Sequence, residues 1–248
     1  MACIRLLNSN QVPPASALDQ GSLGYNNPTL TKFSKVTAMP DRKLHWEKVY
    51  SNKPPGEVSW FQQEPHLSLR LIGNTQLEPG DAIIDVGGGA STLVDHLCTA
   101  GFTNIAVLDI SSHALAHTRL RLAERACNVD WFEADVTGFE PPRQFCLWHD
   151  RAVFHFLTEK ADRKKYIDVL RKALKPGGHL VIMAFALDGP KKCSGLDIVQ
   201  YDTEKLNAEL GKGFVLVETG HETHLTPMGN EQKFSYFRYT RQTKQGSF

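Results

Sequence analysis

The chain has 248 residues, of which 41% are hydrophobic, and its 28 Lys and Arg against 27 Asp and Glu leave a formal net charge of +1. This composition excludes disorder as the main state, and it excludes a global attraction to polyanions or membrane surfaces. The longest apolar run, Leu180 to Leu187, is much shorter than the ~20 residues that cross a bilayer. A chain without a membrane span is therefore expected.

Residues 1–40 are rich in Asn, Ser, Pro, Gly and Thr and contain one acidic residue, Asp19. We expect a poorly ordered extension there. The start lacks a signal-peptide core, which favours a cytoplasmic location. Because Arg5, Lys32 and Lys35 lie among several Ser and Thr, a mitochondrial targeting segment remains an alternative.

A cap is predicted over residues 41–75. Two tryptophans, Trp46 and Trp60, flank a Pro-Pro-Gly turn at residues 54–56. The pattern predicts a helix, a loop and a second helix before the first strand.

Short apolar runs then alternate with helical stretches. Strands are predicted at residues 82–85, 105–109, 129–132, 145–148 and 180–186. Ser111 or Ser112 is expected to cap one intervening helix and Thr158 another, which should end before Pro176-Gly177-Gly178. Strands separated by helices indicate an α/β fold, a parallel sheet with helices on both faces.

The last quarter of the chain breaks this alternation. Residues 214–218 and 233–240 are strand-like, and no helical period lies between them. They are therefore expected to pair as an antiparallel hairpin at the sheet edge.

The strongest chemical signal follows the first strand, which ends at Asp85 and leads into Gly87, Gly88 and Gly89. Glycines allow a sharp turn and a close approach of the backbone to a ligand, although a tight turn needs them without any ligand as well. Asp109 ends the second strand and Asp135 follows the third. In open α/β sheets such positions meet in one crevice, where a carboxylate at a strand end can bind ribose hydroxyls.

The glycine turn lacks the third glycine of a dinucleotide fingerprint, since Ala90, Ser91 and Thr92 follow Gly89. The Asp85 carboxylate beside the turn disfavours a pyrophosphate and suits an amino group or a sulfonium. The turn therefore favours an adenosine-containing ligand other than a nicotinamide dinucleotide. A nicotinamide oxidoreductase is the disfavoured alternative.

In these features the sequence resembles the class I S-adenosylmethionine-dependent methyltransferases. The motifs that carry the likeness are Asp85 to Gly89, Asp109, Ala134-Asp135-Val136, His149-Asp150-Arg151 and Leu174 to Gly178. The resemblance implies a Rossmann-like seven-stranded sheet, mostly parallel with an antiparallel C-terminal hairpin, in one domain over residues 41–248. It also implies S-adenosylmethionine as cofactor, S-adenosylhomocysteine as product, and a cofactor site made of Asp85, Val86, Gly87, Gly88, Gly89, Asp109, Ile110, Asp135, Val136, His149 and Trp60.

Finer likenesses point to different acceptors. The stretch HDRAVFHFL and the element Trp46-Glu47-Lys48-Val49-Tyr50, with Trp60-Phe61, resemble the elongation-factor lysine methyltransferases, but Arg151 stands where that group has Lys and Ala152-Val153 where it has Gly-Thr. The cap is also similar to that of thiopurine and thiol methyltransferases. The segments 188–196 and 224–234 look like an uncharacterised bacterial type, which implies no acceptor.

Methyl transfer needs alignment of two reactants, and a base is optional. The candidate bases are Asp150, His155 and His149, with the loop histidines His221 and His224. Each has an alternative role: Asp150 as a helix cap or a partner of Arg151, His155 as a core residue, and His149 as a packing residue at the strand end.

Other chemical candidates have two interpretations each. Cys193 lies between Lys192 and Ser194, and adjacent lysines would lower its pKa, although packing in a lid is the favoured role. Trp46, Tyr50, Trp60 and Phe61 either close over the cofactor by cation–π contact or hold the cap to the sheet. The basic helix from Lys160 to Lys172 has no interleaved aromatic residues, so no nucleic-acid partner is expected.

The sequence thus predicts a methyltransferase with a small-molecule acceptor, with a protein lysine as the first alternative and a non-catalytic S-adenosylmethionine-binding protein as the second. No metal is expected, because none of the five cysteines, Cys3, Cys98, Cys127, Cys146 and Cys193, lies in a ligand motif. Reduced thiols are expected. The oligomeric state does not follow from these features.

Overall fold

The computed structural model describes residues 42–243. The predicted extension over residues 1–40, with its targeting alternative, lies outside the described residues. Within residues 42–243, no helix is long and apolar enough to cross a membrane, and no three His, Cys, Asp or Glu side chains are grouped to hold a metal ion.

The cap consists of two helices joined by a loop, as predicted. Helix α1 is Arg42–Asn52, a short 3-10 turn follows at Pro55–Glu57, and helix α2 is His66–Gly73. Tyr50 is the one buried residue of α1, whereas α2 buries Ser68, Leu71 and Ile72. The α2 helix therefore belongs to the core and α1 lies over its surface.

A single seven-stranded sheet forms the centre of the domain. Its strands are β1 (Ile83–Val86), β2 (Ile105–Asp109), β3 (Val129–Glu133), β4 (Phe145–Arg151), β5 (Leu174–Phe185), β8 (Phe214–Leu225) and β9 (Glu231–Arg241), in the order β3-β2-β1-β4-β5-β9-β8. Two-residue strands β6 (Lys192–Cys193) and β7 (Leu196–Asp197) make a separate ladder. The order reverses between β1 and β4, which is the position where open α/β sheets bind ligands.

Helices cover both faces of this sheet, as predicted. They are α3 (Leu93–Thr99), α4 (Ser112–Leu122), α5 (Lys160–Ala173) and α6 (Thr203–Leu210). One core layer contains Trp148, Tyr166 and Phe237, and the other contains Ile83, Leu147 and Phe234. Because strand side chains alternate between the faces, neighbouring residues at a strand end enter different layers.

The C-terminal hairpin is antiparallel, as predicted. Strand β9 pairs antiparallel with β5, and β8 pairs antiparallel with β9 along almost its whole length. Both strands are longer than the predicted segments. Strand β8 lies at the edge of the sheet, where residues can be polar, so an apolar pattern does not show its full length. The fold class is therefore confirmed.

Two predicted boundaries around α5 were wrong. The residue before the helix is Glu159 rather than Thr158, and no side chain caps it. Strand β5 begins at Leu174, six residues before its predicted start at Leu180, and includes Pro176 to Gly178. The strand tolerates them because its pairing with β4 shifts register there and Gly177 takes a positive φ of 78°. Ser111, in contrast, caps α4 as predicted.

Candidate functional site

The turn from β1 to α3 brings bare backbone next to a carboxylate. Gly87 has φ 69°, and a Cβ there would collide with the Val153 side chain. A Cβ on Gly88 would lie 2.6 Å from Cγ of Asp85 and closer still to its Oδ2. The second and third turn positions therefore need glycine for space, and the first needs it for conformation as well.

Asp85 is held in place by a row of buried polar groups. It lies opposite His149 in the β1–β4 register, and Nδ1 of His149 is 2.7 Å from its Oδ1. Because a carboxylate only accepts, Nδ1 donates, while Nε2 of His149 lies 2.9 Å from the Ser68 hydroxyl of α2. The other oxygen of Asp85, Oδ2, is buried without a hydrogen-bond partner in the part of the chain that is described. An acceptor in this state is suited to a donor on a ligand.

Asp109 closes the other side of the turn. Its Oδ2 accepts the Gly89 N–H at 2.9 Å and its Oδ1 accepts the Ser111 N–H at 2.8 Å. Burial raises the pKa of Asp109 to about 6, although these backbone donors and that of Ile110 oppose the rise. Each carboxylate oxygen keeps a second lone pair for a ligand hydroxyl.

A cleft in two lobes runs along the strand ends. Counted with the open space at its mouth, the first lobe spans about 770 Å³ and the second about 550 Å³. Tyr50, Trp60, Val86, Gly87 and Arg151 line both. The lobes therefore adjoin at these five residues.

Aromatic rings of the cap form the outer wall of the cleft. Trp46 meets Trp60 edge-to-face with ring centres 5.6 Å apart, and it meets Phe156 in the same way at 5.0 Å. The indole N–H of Trp60 donates to the Tyr50 hydroxyl at 3.1 Å. These contacts support both predicted roles of the aromatic residues, since the rings line the cleft and also fix α1 on the domain.

Glu47 of α1 caps helix α4, which follows Asp109 along the chain. Glu47 accepts from the backbone N–H groups of Ser112 and His113 and from the hydroxyls of Ser111 and Ser112, and it pairs with the His113 ring. Burial opposes ionisation, but these hydrogen bonds outweigh it and lower the pKa of Glu47 to about 2. The first turn of α4 contains no acid of its own, so Glu47 provides the charge that a helix N-terminus favours.

Ten of the eleven predicted cofactor residues line the cleft. The first lobe contains Val86, Gly87, Asp109, Ile110, Asp135, Val136 and Trp60, and the second contains Asp85, Val86, Gly87, Gly88, His149 and Trp60. Gly89 lies beneath it and donates to Asp109. A Cβ on Gly89 would lie 2.5 Å from Asp109 Oδ2. Their role in cofactor binding stays a prediction that this arrangement supports.

Asp150 points to the opposite face of the sheet from Asp85. It is fully buried; its Oδ1 accepts the Val153 N–H, and its Oδ2 accepts the Phe154 N–H and the Tyr166 hydroxyl. Burial raises the pKa of Asp150 to about 6, with the Tyr166 hydrogen bond opposing. It does not line either lobe. This environment matches the predicted alternative of a cap for the following 3-10 turn.

His155 is also fully buried outside the cleft, between the rings of Phe156 and Phe185. Burial lowers its pKa to about 3, and Arg151 lowers it further. His224 points to the cap, with Nε2 2.8 Å from the Ser59 carbonyl oxygen, and His221 is exposed on β8. Among the predicted bases, only His149 lines the cleft, and both its nitrogens are engaged.

Cys193 lines the first lobe, and of its two interpretations the less favoured one, a reactive thiolate, is wrong. The side chain is buried, and burial raises its pKa to about 12 although Arg151 opposes the rise. Neighbouring lysines do not lower it because the thiol points inward, toward the cleft. Packing, the favoured alternative, describes it. The four cysteines of residues 42–243 form no disulfide.

The structure adds residues that the sequence did not single out for the cleft. Arg42 pairs with Asp135 at 3.3 Å and with Asp162 at 3.1 Å, which fixes the start of α1 over the first lobe. Arg151, the last residue of β4, and Ala152 after it line the first lobe, and Ala152 has φ 70°. The glycine that the lysine methyltransferase motif places there would adopt this angle without strain.

The sheet order, the glycine turn and the two acids are those of a class I S-adenosylmethionine-dependent methyltransferase. The family described as "Methyltransferase domain" matches residues 84–180, which run from the second residue of β1 through β4 into β5. Over these residues the chain is similar to that methyltransferase family.

Two curated proteins are similar to parts of the chain. The chain is 27% identical over 121 residues to nodulation protein S of Rhizobium tropici, which is 49% of this chain and 50% of that protein. It is 28% identical over 147 residues to the eEF1A lysine and N-terminal methyltransferase of Danio rerio, 57% of this chain and 21% of that one. The chain thus spans half of the first relative and about a fifth of the second.

The fold also matches a solved structure. The 1,6-didemethyltoxoflavin-N1-methyltransferase of Burkholderia thailandensis, with bound 1,6-didemethyltoxoflavin and S-adenosylhomocysteine, has a TM-score of 0.58 at 14% identity over 81% of this chain and 84% of that chain. At this identity the likeness concerns the fold.

Proposed function

We propose that this chain transfers a methyl group from S-adenosylmethionine to a nucleophilic atom of a small-molecule acceptor. The observation that carries the proposal is the buried, unpartnered Oδ2 of Asp85 beside the Gly88 backbone. An amino acid ammonium group provides the donor that this oxygen lacks, whereas a pyrophosphate would be repelled. Bound there, S-adenosylmethionine supplies an electrophilic methyl group on a sulfonium.

Three parts of the cleft would hold the cofactor. Asp85 and Gly88 would take the amino acid portion, and Asp109 the ribose hydroxyls. Asp135 and Val136 of the first lobe would lie along the adenine. The predicted cofactor set is retained in full, with His149 acting through Asp85 as a positioning residue.

The chain itself contributes alignment and the exclusion of water. The rings of Tyr50 and Trp60 line the cleft where its lobes meet, Trp46 lines the first lobe, and an aromatic face stabilises a nearby cation. Holding two reactants in line supplies up to ~7–11 kcal/mol of a reaction barrier. A dry, aromatic wall therefore accounts for catalysis without covalent help from the protein.

A dedicated base is not part of this proposal. His149 uses both nitrogens on Asp85 and Ser68, and Asp150 and His155 are buried away from the lobes. The acceptor atom would therefore bring its own lone pair, as a neutral amine or an easily ionised thiol does. Catalytic roles for Asp150, His155 and His149 remain predictions, tested below through Asp150.

The acceptor is proposed to be small because several elements enclose the cleft. Helix α1 lies over one side, and Cys193 of the β6–β7 ladder closes another. The Burkholderia enzyme of this fold binds a small heterocycle, which supports the proposal. The second candidate is a protein lysine, favoured by the similarity to the Danio rerio enzyme.

One incubation separates these candidates. The purified chain is mixed with cell extract and methyl-labelled S-adenosylmethionine, and the label is then measured in the low-mass and protein fractions. We expect label in the low-mass fraction, and label in protein alone would favour the lysine. Binding of the cofactor without transfer to either fraction would identify a non-catalytic binding protein.

A further inference from the structure

Arg151 places an unused hydrogen-bonding edge in the cleft. It is the last residue of β4 and, two positions after His149, points to the same face of the sheet as Asp85. Its Nη1 donates to the Trp60 carbonyl oxygen at 2.9 Å. Its Nε and one further nitrogen, Nη2, are buried and have no hydrogen-bond partner in the described part of the chain.

The orientation of this guanidinium is fixed. Its carbon lies 4.9 Å from the centre of the Phe234 ring, the Trp60 carbonyl holds one corner, and the acidic groups that act on its charge are Glu222, Cys193 and Asp85. Glu222 attracts the cation without bonding to it, and its own Oε2 is buried and unpartnered. A buried cation with unsatisfied donors is costly unless an anion pairs with it.

The unpartnered edge has a specific shape. Nε–H and the adjacent Nη2–H of an arginine are parallel donors, and this pair matches the two oxygens of a carboxylate. Nη1, the nitrogen outside that pair, is the one already engaged by the protein. The cleft therefore leaves open the side of Arg151 that binds a planar anion in bidentate fashion.

We propose that the Nε–Nη2 edge of Arg151 is a carboxylate-binding site within the cleft, and that the carboxylate belongs to the methyl acceptor. The proposal rests on the proposed function. The guanidinium reaches over a ring of β9, two strands from β4 and on the side away from β1 and β2, where Asp85 and Asp109 lie. A carboxylate of the cofactor is the other source, because Arg151 also lines the second lobe.

The test for the acceptor uses 4-fluorobenzoate as the probe and 4-fluorobenzamide as its neutral counterpart, because rings of Trp46 and Phe156 line the first lobe. Binding to the chain saturated with S-adenosylhomocysteine is followed by fluorine NMR. We expect the carboxylate to bind about 10- to 100-fold more tightly than the amide. Arg151→Met should remove this difference, and Arg151→Lys should keep only part of it.

The control is Arg70→Met, because Arg70 also stacks on a β9 ring, that of Tyr236, but lies outside the cleft. It should leave the preference intact. The wild-type comparison needs no variant to fold. Equal binding of both probes to the wild type, or a preference that survives in Arg151→Met, would overturn the acceptor assignment.

A second titration tests the cofactor as the source. S-adenosylhomocysteine and its decarboxylated analogue are titrated into the wild type and Arg151→Met. If the acceptor is the source, Arg151→Met lowers both affinities equally or not at all. If the wild type prefers the carboxylate and Arg151→Met does not, the site belongs to the cofactor. No carboxylate preference in either titration refutes the site, whereas no binding of S-adenosylhomocysteine to the wild type refutes the proposed function instead.

Discussion

Gly88→Ala isolates the contact on which the cofactor site depends. Gly88 has no positive φ, so alanine causes no backbone strain there, and the effect comes from the methyl group alone. That methyl would lie 2.6 Å from Cγ of Asp85, whereas real Cβ atoms stay beyond 3.0 Å. Asp85 cannot easily move away by the ~0.4 Å that would restore a normal contact, because His149 is hydrogen-bonded to it and Ser68 in turn contacts His149.

We expect Gly88→Ala to fold with a loss of about 1–3 kcal/mol in unfolding free energy, as for other overpacked sites. The methyl covers Oδ2, so the charge-assisted hydrogen bond to the cofactor ammonium is lost. That bond is worth ~1.5–3 kcal/mol, which is about a 10- to 150-fold weaker affinity.

The assay is calorimetric titration with S-adenosylhomocysteine, and the control is Gly80→Ala, where an added Cβ meets nothing within 4 Å. The control should bind as the wild type does. A Gly88→Ala variant that is folded and binds within twofold of the wild type would refute the assignment of Oδ2 to the ligand.

Four further changes test other parts of the site. Glu47→Gln should lower the unfolding free energy by about 1–2 kcal/mol at pH 7. Because the pKa of Glu47 is lowered in the folded state, its contribution is present above pH ~4.5 and is lost as the pH falls toward 2. Urea titrations should therefore show a larger loss at pH 7 than at pH 3, and equal losses would contradict this role. Asp150→Asn should lower the unfolding free energy measured in urea by about 1–3 kcal/mol, because an amide cannot accept all the hydrogen bonds that the carboxylate accepts. The rate of methyl transfer should not change. Unchanged stability with a 100-fold slower transfer would instead identify Asp150 as the base. Ala152→Gly should raise the unfolding free energy by about 0.5–1 kcal/mol by relieving φ 70°, and a loss would contradict the strain. Iodoacetamide at pH 8 should alkylate Cys193 far more slowly than exposed Cys127, measured by mass spectrometry, and equal rates would show that Cys193 is an accessible thiolate.

The sheet was predictable because buried strands produce unbroken apolar runs, and β1 and β2 were found within a residue of their bounds. The start of β5 was not, because Pro176 and two glycines usually end an element, and only the bulged pairing with β4 accommodates them. Helix α6 and the small β6–β7 ladder went unpredicted. Their short, mixed segments have no period that distinguishes them from loops.

In the site, predictability followed chain distance. The glycine turn and its acids are local in sequence, and their positions follow from the ends of parallel strands. The Ser68–His149–Asp85 row and the Glu47 cap join residues more than 60 positions apart. The face to which each side chain points also depends on where β4 ends: the strand reaches Arg151, so Asp150 enters the core and Arg151 the cleft. The predicted strand ended at Trp148, so the prediction did not show to which face Asp150 and Arg151 point.

The central claim, that the cleft is built for S-adenosylmethionine, is tested most directly by parallel titration of the purified chain with S-adenosylmethionine and with nicotinamide dinucleotides. We expect one-to-one binding of S-adenosylmethionine and none of the dinucleotides. Asp85→Asn should weaken that binding, and Asp81→Asn, two residues before the start of β1, should not. Dinucleotide binding, or S-adenosylmethionine binding that Asp85→Asn leaves unchanged, would contradict the account.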